Sequence, residues 1–191
     1  MDIILASASP RRQELLQRMG LDFIVRTAPH DEEMNLFANP ADEAARVSRL
    51  KAEAVYPLCH DDDIIVAADT IVVCDGRIMG KPRSESDAFS MLRRLSGREH
   101  QVMTGLTVAQ GDTVETTTVT TTLRFRPLSD QEIRNYIATG EPADKAGAYG
   151  IQGLASMFVV GLDGDYYNVM GLPICTLTLM LRKHGVKLLG V

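Results

Sequence analysis

The chain predicts an α/β fold built on a mixed β-sheet, and three observations carry that prediction. Ile64–Cys74 is a continuous apolar run rich in β-branched residues, the pattern of a strand covered on both faces. Residues 3–16 read as strand, turn and then helix. Residues 101–110 and 114–126 read as a long antiparallel pair around Gly111-Asp112.

Taken in order, residues 3–6 form a short strand, and residues 11–19 a helix with Ser9 as N-cap, Pro10 at its first position and Gly20 at its C-cap. Residues 23–27 look extended and lead into a polar, acidic loop over 28–40. Helical spacing of Ala44, Ala45, Val47, Leu50 and Ala54 predicts a helix over 42–55. After the core strand, Asp75-Gly76 marks a tight hairpin into residues 77–79. Residues 84–95 start at a capping serine, carry Asp87 in the first turn and stop at Ser96-Gly97. The threonine stretch of 116–122, with Val119 interleaved and Leu123 and Phe125 following, fits a strand rather than low complexity. Ser129 with Glu132 forms a capping box for a helix over 129–139. A glycine-rich segment follows, then a further hairpin of residues 158–160 with 166–169 around Asp163-Gly164, and a last helix over 173–183. No repeat or linker divides the chain, so residues 1–191 read as a single domain.

Bulk composition narrows the function. At 45% hydrophobic and 24% charged the chain is an ordinary globular protein, and its net charge of −5 argues against a general nucleic-acid or anionic-membrane binder. A polyanion would have to meet a local basic cluster on an acidic body. Cys59, Cys74 and Cys175 are odd in number and far apart, with no zinc-ligand spacing. No signal peptide or membrane-spanning run is apparent, so the expected location is the cytoplasm, without a membrane or nucleic-acid partner.

Arg11 and Arg12 sit where a helix should least want them. In the first turn they lie beside the positive end of the helix dipole, each unfavourable by about 0.3–1 kcal/mol at an exposed end. Two cations, free N–H groups and serine hydroxyls make an anion site suited to phosphate, although arginines in solvent or beside an acidic neighbour would also explain them. Asp69 interrupts the apolar run of the core strand. A buried carboxylate must find a cation or backbone donors, or else serve as metal ligand or general base at the floor of a cleft. In Gly76-Arg77-Ile78-Met79-Gly80-Lys81-Pro82 the spacing approaches a P-loop, but it is one residue short and has proline in place of Ser or Thr. Lys81 can still act as a point charge toward phosphate.

Lys51, inside a helix, reads most simply as a solvated surface lysine. Asp31-Glu32-Glu33 is either a solvated acidic loop or a source of carboxylates for a divalent cation beside a triphosphate. His60-Asp61-Asp62-Asp63 reads as a polar turn. The glycines of residues 144–153 let backbone approach a ligand, and Gln152 offers a donor and an acceptor suited to a base edge.

Together these blocks resemble the Maf-type nucleotide pyrophosphatases. Residues 7–16, Ala68-Asp69-Thr70, Gly80-Lys81-Pro82, Leu95-Ser96-Gly97 and residues 144–153 occur in the family's order across nearly the whole chain. Gly150-Ile151-Gln152-Gly153 resembles the branch acting on dTTP and UTP rather than the one preferring 7-methyl-GTP. The resemblance implies an elongated mixed sheet with flanking helices and two lobes around a central cleft, related to the inosine triphosphatases and commonly a homodimer. It implies hydrolysis of dTTP and UTP, with CTP and modified pyrimidine triphosphates as further candidates, to the monophosphate plus pyrophosphate. A divalent cation, Mg²⁺ or Mn²⁺, assists, and the role is house-cleaning of nucleotide pools with a link to arrest of cell division. By position, Asp69 is the proton acceptor, while Arg11, Thr70 and Gln152 govern substrate choice. Ser7, Arg12, Lys51 and Lys81 line the phosphate site, and Asp69 with Glu32 (rather than Glu33) holds the metal. The competing reading is a non-catalytic, nucleotide-sensing regulator of septum formation, which needs the anion pocket but not the carboxylates.

Overall fold

The computed structural model of the chain describes residues 1–29 and 34–190. At its centre lies β3 (Ile64–Cys74), buried along almost its whole length. One edge of β3 meets two strands in succession. β1 (Ile3–Leu5) runs parallel to residues 64–66, with the Val66 carbonyl accepting from the Ala6 N–H at 2.8 Å. β4 (Arg77–Met79) then pairs antiparallel with residues 72–74, after a turn in which Asp75 and Gly76 both take positive φ. Among the described residues, positions 67–71 therefore carry a strand on their other edge only, where β5 (Glu99–Gln110) runs antiparallel.

β6 (Thr113–Phe125) and β7 (Val159–Asp163) extend the sheet beyond β5, and β2 (Ile24–Val25) lies outside β1, giving the order β2-β1-β3-β5-β6-β7. The mixed sheet with flanking helices is as the sequence predicts. The alternation of a strand sorts its two faces. Ile65, Ala67, Ile71 and Val73 face α2 (Pro40–Val55), packing with its Ala44, Ala52 and Val55. Ile64, Val66 and Ala68 join Leu106 and Val108 against α1 (Pro10–Arg18) and α6 (Ile174–Lys183). At the far end α3 (Glu85–Leu95) and α4 (Asp130–Ala138) close over Phe125 through Leu92, Leu95, Ile133 and Tyr136.

Gly105 decides how closely α2 approaches. It stands opposite Asp69 in the sheet, and a Cβ there would lie 2.0 Å from the Ala44 carbonyl oxygen. Without that side chain the helix seats directly on the sheet, fastened by Ser48 to Thr107 at 2.8 Å and by Thr118 to the Ala41 carbonyl at 2.8 Å.

Two expectations need correction. Residues 158–160 and 166–169 do not form a hairpin: β7 pairs with β6, and Tyr166–Met170 is a short helix, α5. Asp165 caps that helix by accepting from the Tyr167 N–H at 2.7 Å, and Gly171 ends it with φ 111°, so local capping overrides the β propensity of Tyr and Val. Ser9 occupies the N-cap position of α1, but its side chain makes no capping bond. The capping box of α4 is present as expected, with Ser129 and Glu132 bonded reciprocally. His60-Asp61-Asp62-Asp63 is a turn held by Asp63, which accepts from the N–H groups of Asp2 and His60.

Candidate active site

The single-edged stretch of β3 opens onto a cavity of about 670 Å³. It lies where parallel β1 has ended and antiparallel β4 has not yet joined, a switch point of the kind where α/β sheets bind ligands. Because neighbouring residues of a strand point to opposite faces, Asp69 and Thr70 reach this cavity from the two sides of the sheet.

On the α2 side, Asp69 is 8% exposed and its Oδ1 accepts from Lys51 Nζ at 2.7 Å. Lys51 follows Ala44, Val47 and Ser48 on the buried face of α2, so the helix delivers the ammonium to the strand. The surface position that spacing alone suggested for Lys51 is thus incorrect: its side chain is 12% exposed. The second oxygen of Asp69, Oδ2, is buried with no hydrogen-bond partner among the described residues. It is the free valence of the site, suited to a proton, a water or a cation.

On the opposite face, Arg12 is buried, and among the described residues its guanidinium is held by Gly171, Ser7 and Thr70. Nε donates to the Gly171 carbonyl at 2.8 Å, Nη1 to Ser7 Oγ at 3.1 Å and Nη2 to Thr70 Oγ1 at 3.1 Å. Arg11, one residue earlier, is half-buried and lines the cavity beside Ala8 and Ser9. Ser7 itself faces a smaller adjoining cleft of about 220 Å³, which it shares with Lys51. Lys81 reaches the cavity from the corner after β4, and Gln152 from the glycine-rich loop; both are exposed. Glu32, the other expected metal ligand, lies outside the described residues, as does Glu33.

Sequence reasoning missed Asp144 and Lys145 as wall residues. They line the cavity and pair at 2.7 Å. Lys145, and more weakly Arg11, holds the Asp144 carboxyl below its ordinary range. No local pattern marks them, because the turns that place them are irregular. Among the described residues five cations thus face two carboxylates around the cavity, on a chain whose net charge is −5. This is the local basic cluster that an acidic protein needs to hold a polyanion.

The glycines of the loop meet a steric demand from within the protein. A Cβ at Gly147 would meet Val72, at Gly150 the Lys145 side chain and at Gly153 the Glu141 carboxylate, the last at 2.2 Å. These positions thus leave room for the protein's own side chains, and Gly150 also lines the cavity. Glu141 accepts from Tyr136 Oη at 2.8 Å and from the Leu154 N–H at 2.9 Å, and the Gly150 N–H donates to Tyr136 Oη, so the Gln152 loop is tied from behind. Tyr149 is anchored by His100, whose Nε2 lies 2.8 Å from its hydroxyl. Burial pushes the Tyr149 phenol above its ordinary pKa and the imidazole down to about 4.

Fold and site together define a class: an α/β protein with a cation-walled cleft and a buried carboxylate on its floor. Comparison with known proteins makes this specific. The family model described as "Maf-like protein" matches residues 2–184, and the chain belongs to that family. Similar curated proteins include the "dTTP/UTP pyrophosphatase" of Symbiobacterium thermophilum, 47% identical, covering 96% of this chain and 94% of its relative. Those of Halalkalibacterium halodurans and Syntrophomonas wolfei are 48% and 49% identical, covering 96% and 97% of this chain and 96% and 98% of theirs. Among solved structures, the Ham1 protein of Staphylococcus aureus aligns at 16% identity with a TM-score of 0.45, over 65% of this chain and 72% of that one.

Proposed function

We propose that this chain hydrolyses dTTP and UTP to the nucleoside monophosphate and pyrophosphate. CTP and modified pyrimidine triphosphates are further candidate substrates. The observation that carries the reading is the buried Asp69, paired with Lys51 through one oxygen and without a partner at the other among the described residues, on the floor of a cation-lined cavity. The names of the relatives support the substrate class.

In the proposed reaction a water oxygen bonds to the α-phosphorus while the bond from that phosphorus to the α,β-bridging oxygen breaks. Asp69 Oδ2 accepts the water proton, and pyrophosphate leaves with the bridging oxygen. Lys51 neutralises charge near the reacting phosphate, Arg12 holds the phosphates alike before and during reaction, and Lys81 and Arg11 hold them toward the mouth. Gln152 reads the pyrimidine edge, with Arg11 and Thr70 contributing to substrate choice. Arg12 is pre-set by its three anchors, so little ordering is needed on binding.

The donor set fits a divalent cation at one point, since Asp69 Oδ2 is a buried carboxylate oxygen without a partner among the described residues. Asp69, with Glu32, would hold Mg²⁺ or Mn²⁺, which when bound polarises phosphoryl oxygens. We further propose that residues 1–191 act as one unit, as a homodimer in the cytoplasm without a nucleic-acid or membrane partner. No helix among the described residues is long and apolar enough to cross a membrane.

A non-catalytic nucleotide sensor would need the cations but not Asp69, and no observation favours it. The deciding experiment is release of pyrophosphate from a panel of canonical and modified triphosphates, with and without Mg²⁺ or Mn²⁺. Metal-dependent turnover highest on dTTP and UTP is expected. Preference for purine triphosphates, or binding without turnover anywhere in the panel, would overturn the proposal.

A further inference from the structure

Behind Arg12 runs a chain of hydroxyls with a fixed sense. Thr104, on β5 opposite Thr70, is fully buried and does not line the cavity. Its hydroxyl lies 3.0 Å from the Asn168 carbonyl oxygen and 2.9 Å from Thr70 Oγ1. A carbonyl can only accept and a hydroxyl has one proton, so Thr104 donates to Asn168. Thr70 must then be the donor in the contact between the two threonines. Its lone pair is left to accept from Arg12 Nη2 at 3.1 Å. The order Arg12 to Thr70 to Thr104 to the Asn168 carbonyl therefore has one direction only.

The far end of this chain is itself pinned. Asn168 is fully buried, and its Nδ2 donates to the Val102 carbonyl at 3.0 Å and to Thr121 Oγ1 at 2.9 Å. Asn168 sits in α5, and the residue ending that helix, Gly171, supplies the carbonyl that holds Arg12 Nε. Both anchors on the α5 side thus fix the guanidinium relative to the sheet.

We propose that Thr104 is a positioning residue for the phosphate site, acting through Thr70 to orient Arg12. Thr104 locks the Thr70 rotor so that Thr70 presents an acceptor to the guanidinium and has no proton to give to a nucleotide. The inference rests on the reading of Arg12 as a phosphate ligand. Because it works on the phosphates and not on the base, its loss should affect dTTP and UTP alike. Because Arg12 meets the phosphates before and during reaction, the effect belongs in KM rather than kcat.

The test is steady-state pyrophosphate release from dTTP and UTP by wild type, Thr104→Val, Thr104→Ser, Thr70→Val, the double Thr104→Val/Thr70→Val variant and Arg12→Lys. Thr104→Val should raise KM about threefold to tenfold, as expected for one lost hydrogen bond behind a charged group, with kcat within about twofold. The factor should be the same for both substrates, Thr104→Ser should restore KM, and Thr104→Val should add nothing in the Thr70→Val background. An unchanged KM, a lower kcat at constant KM, unequal factors for the two substrates, or full multiplication of the two single effects would overturn the proposal. If Thr104→Val does not fold, Thr104→Ala is read by the same criteria. Arg12→Lys separates the two levels of argument. Unchanged KM in that variant sinks the phosphate-site reading, whereas a raised KM there with a silent Thr104 sinks only the link to Thr104.

Discussion

Gly105 is the point at which one added methyl group should dismantle the site from outside it. In Gly105→Ala the new Cβ would lie 2.0 Å from the Ala44 carbonyl oxygen, 2.3 Å from its carbon and 2.7 Å from the Ala45 nitrogen. All three are backbone atoms of α2, so no side chain can swing away. Restoring an ordinary carbon–oxygen contact near about 3.3 Å requires the helix to retreat by roughly 1.3 Å. A rigid retreat of that size would stretch Ser48–Thr107 from 2.8 Å and Lys51–Asp69 from 2.7 Å beyond hydrogen-bonding range. Overpacking costs typically about 1–3 kcal/mol, and a clash with helix backbone belongs at the upper end. At about 2–4 °C per kcal/mol for a chain of this size, Tm should fall by roughly 6–12 °C. Turnover by the folded fraction should fall about a hundredfold, because displacement of a positioned group by an ångström has effects of that order. Thermal denaturation and pyrophosphate release on the same preparation measure both. A Tm within about 2 °C of wild type with normal turnover would refute the claim that α2 seats Lys51 through Gly105.

Other consequences can be checked alongside. Gly153→Ala would place a Cβ 2.2 Å from a Glu141 oxygen that holds Tyr136. Displacing Glu141 should loosen the Gln152 loop, costing about 1 kcal/mol of stability and lowering the ratio of kcat/KM for dTTP over dGTP; an unchanged ratio would remove Gln152 from base reading. His100 supplies a pH dependence of stability. Burial lowers its pKa from an ordinary 6.5 to about 4, so its contribution is full above pH 6.5 and is lost as the pH falls through 4. Between pH 7 and pH 5 this amounts to about 2 kcal/mol of stability. A His100→Gln variant, compared with wild type by Tm at both pH values, should show a shallower decline, and parallel declines would contradict the assignment.

Much of the frame is legible in the sequence because its signals are local. β3 carries a long β-branched run, α4 a complete capping box, and Asp75-Gly76 a turn that demands positive φ. The residues around 166–170 misled because Tyr, Tyr and Val favour strand, while the deciding signals were single residues, Asp165 and Gly171. Asp69 and the paired arginines stood out as polar groups in the wrong place. Lys51 did not, since only the close seating of α2 at Gly105 turns a helical lysine inward. Thr104 had a faint signal, a hydroxyl on the face of β5 otherwise occupied by Val102, Leu106 and Val108. Its meaning depends on the register that sets it against Thr70, which no single strand encodes.

The central claim is that Asp69 accepts the proton of a water attacking the α-phosphorus. Asp69→Asn keeps the shape and removes that capacity, and its turnover can be measured beside its affinity for a non-hydrolysable dTTP analogue, with pyrophosphate and orthophosphate assayed separately. Pyrophosphate is expected as the wild-type product, and for Asp69→Asn a loss of turnover of about a thousandfold or more with binding largely retained. Near-normal turnover by Asp69→Asn, or orthophosphate as the product of the wild type, would contradict it.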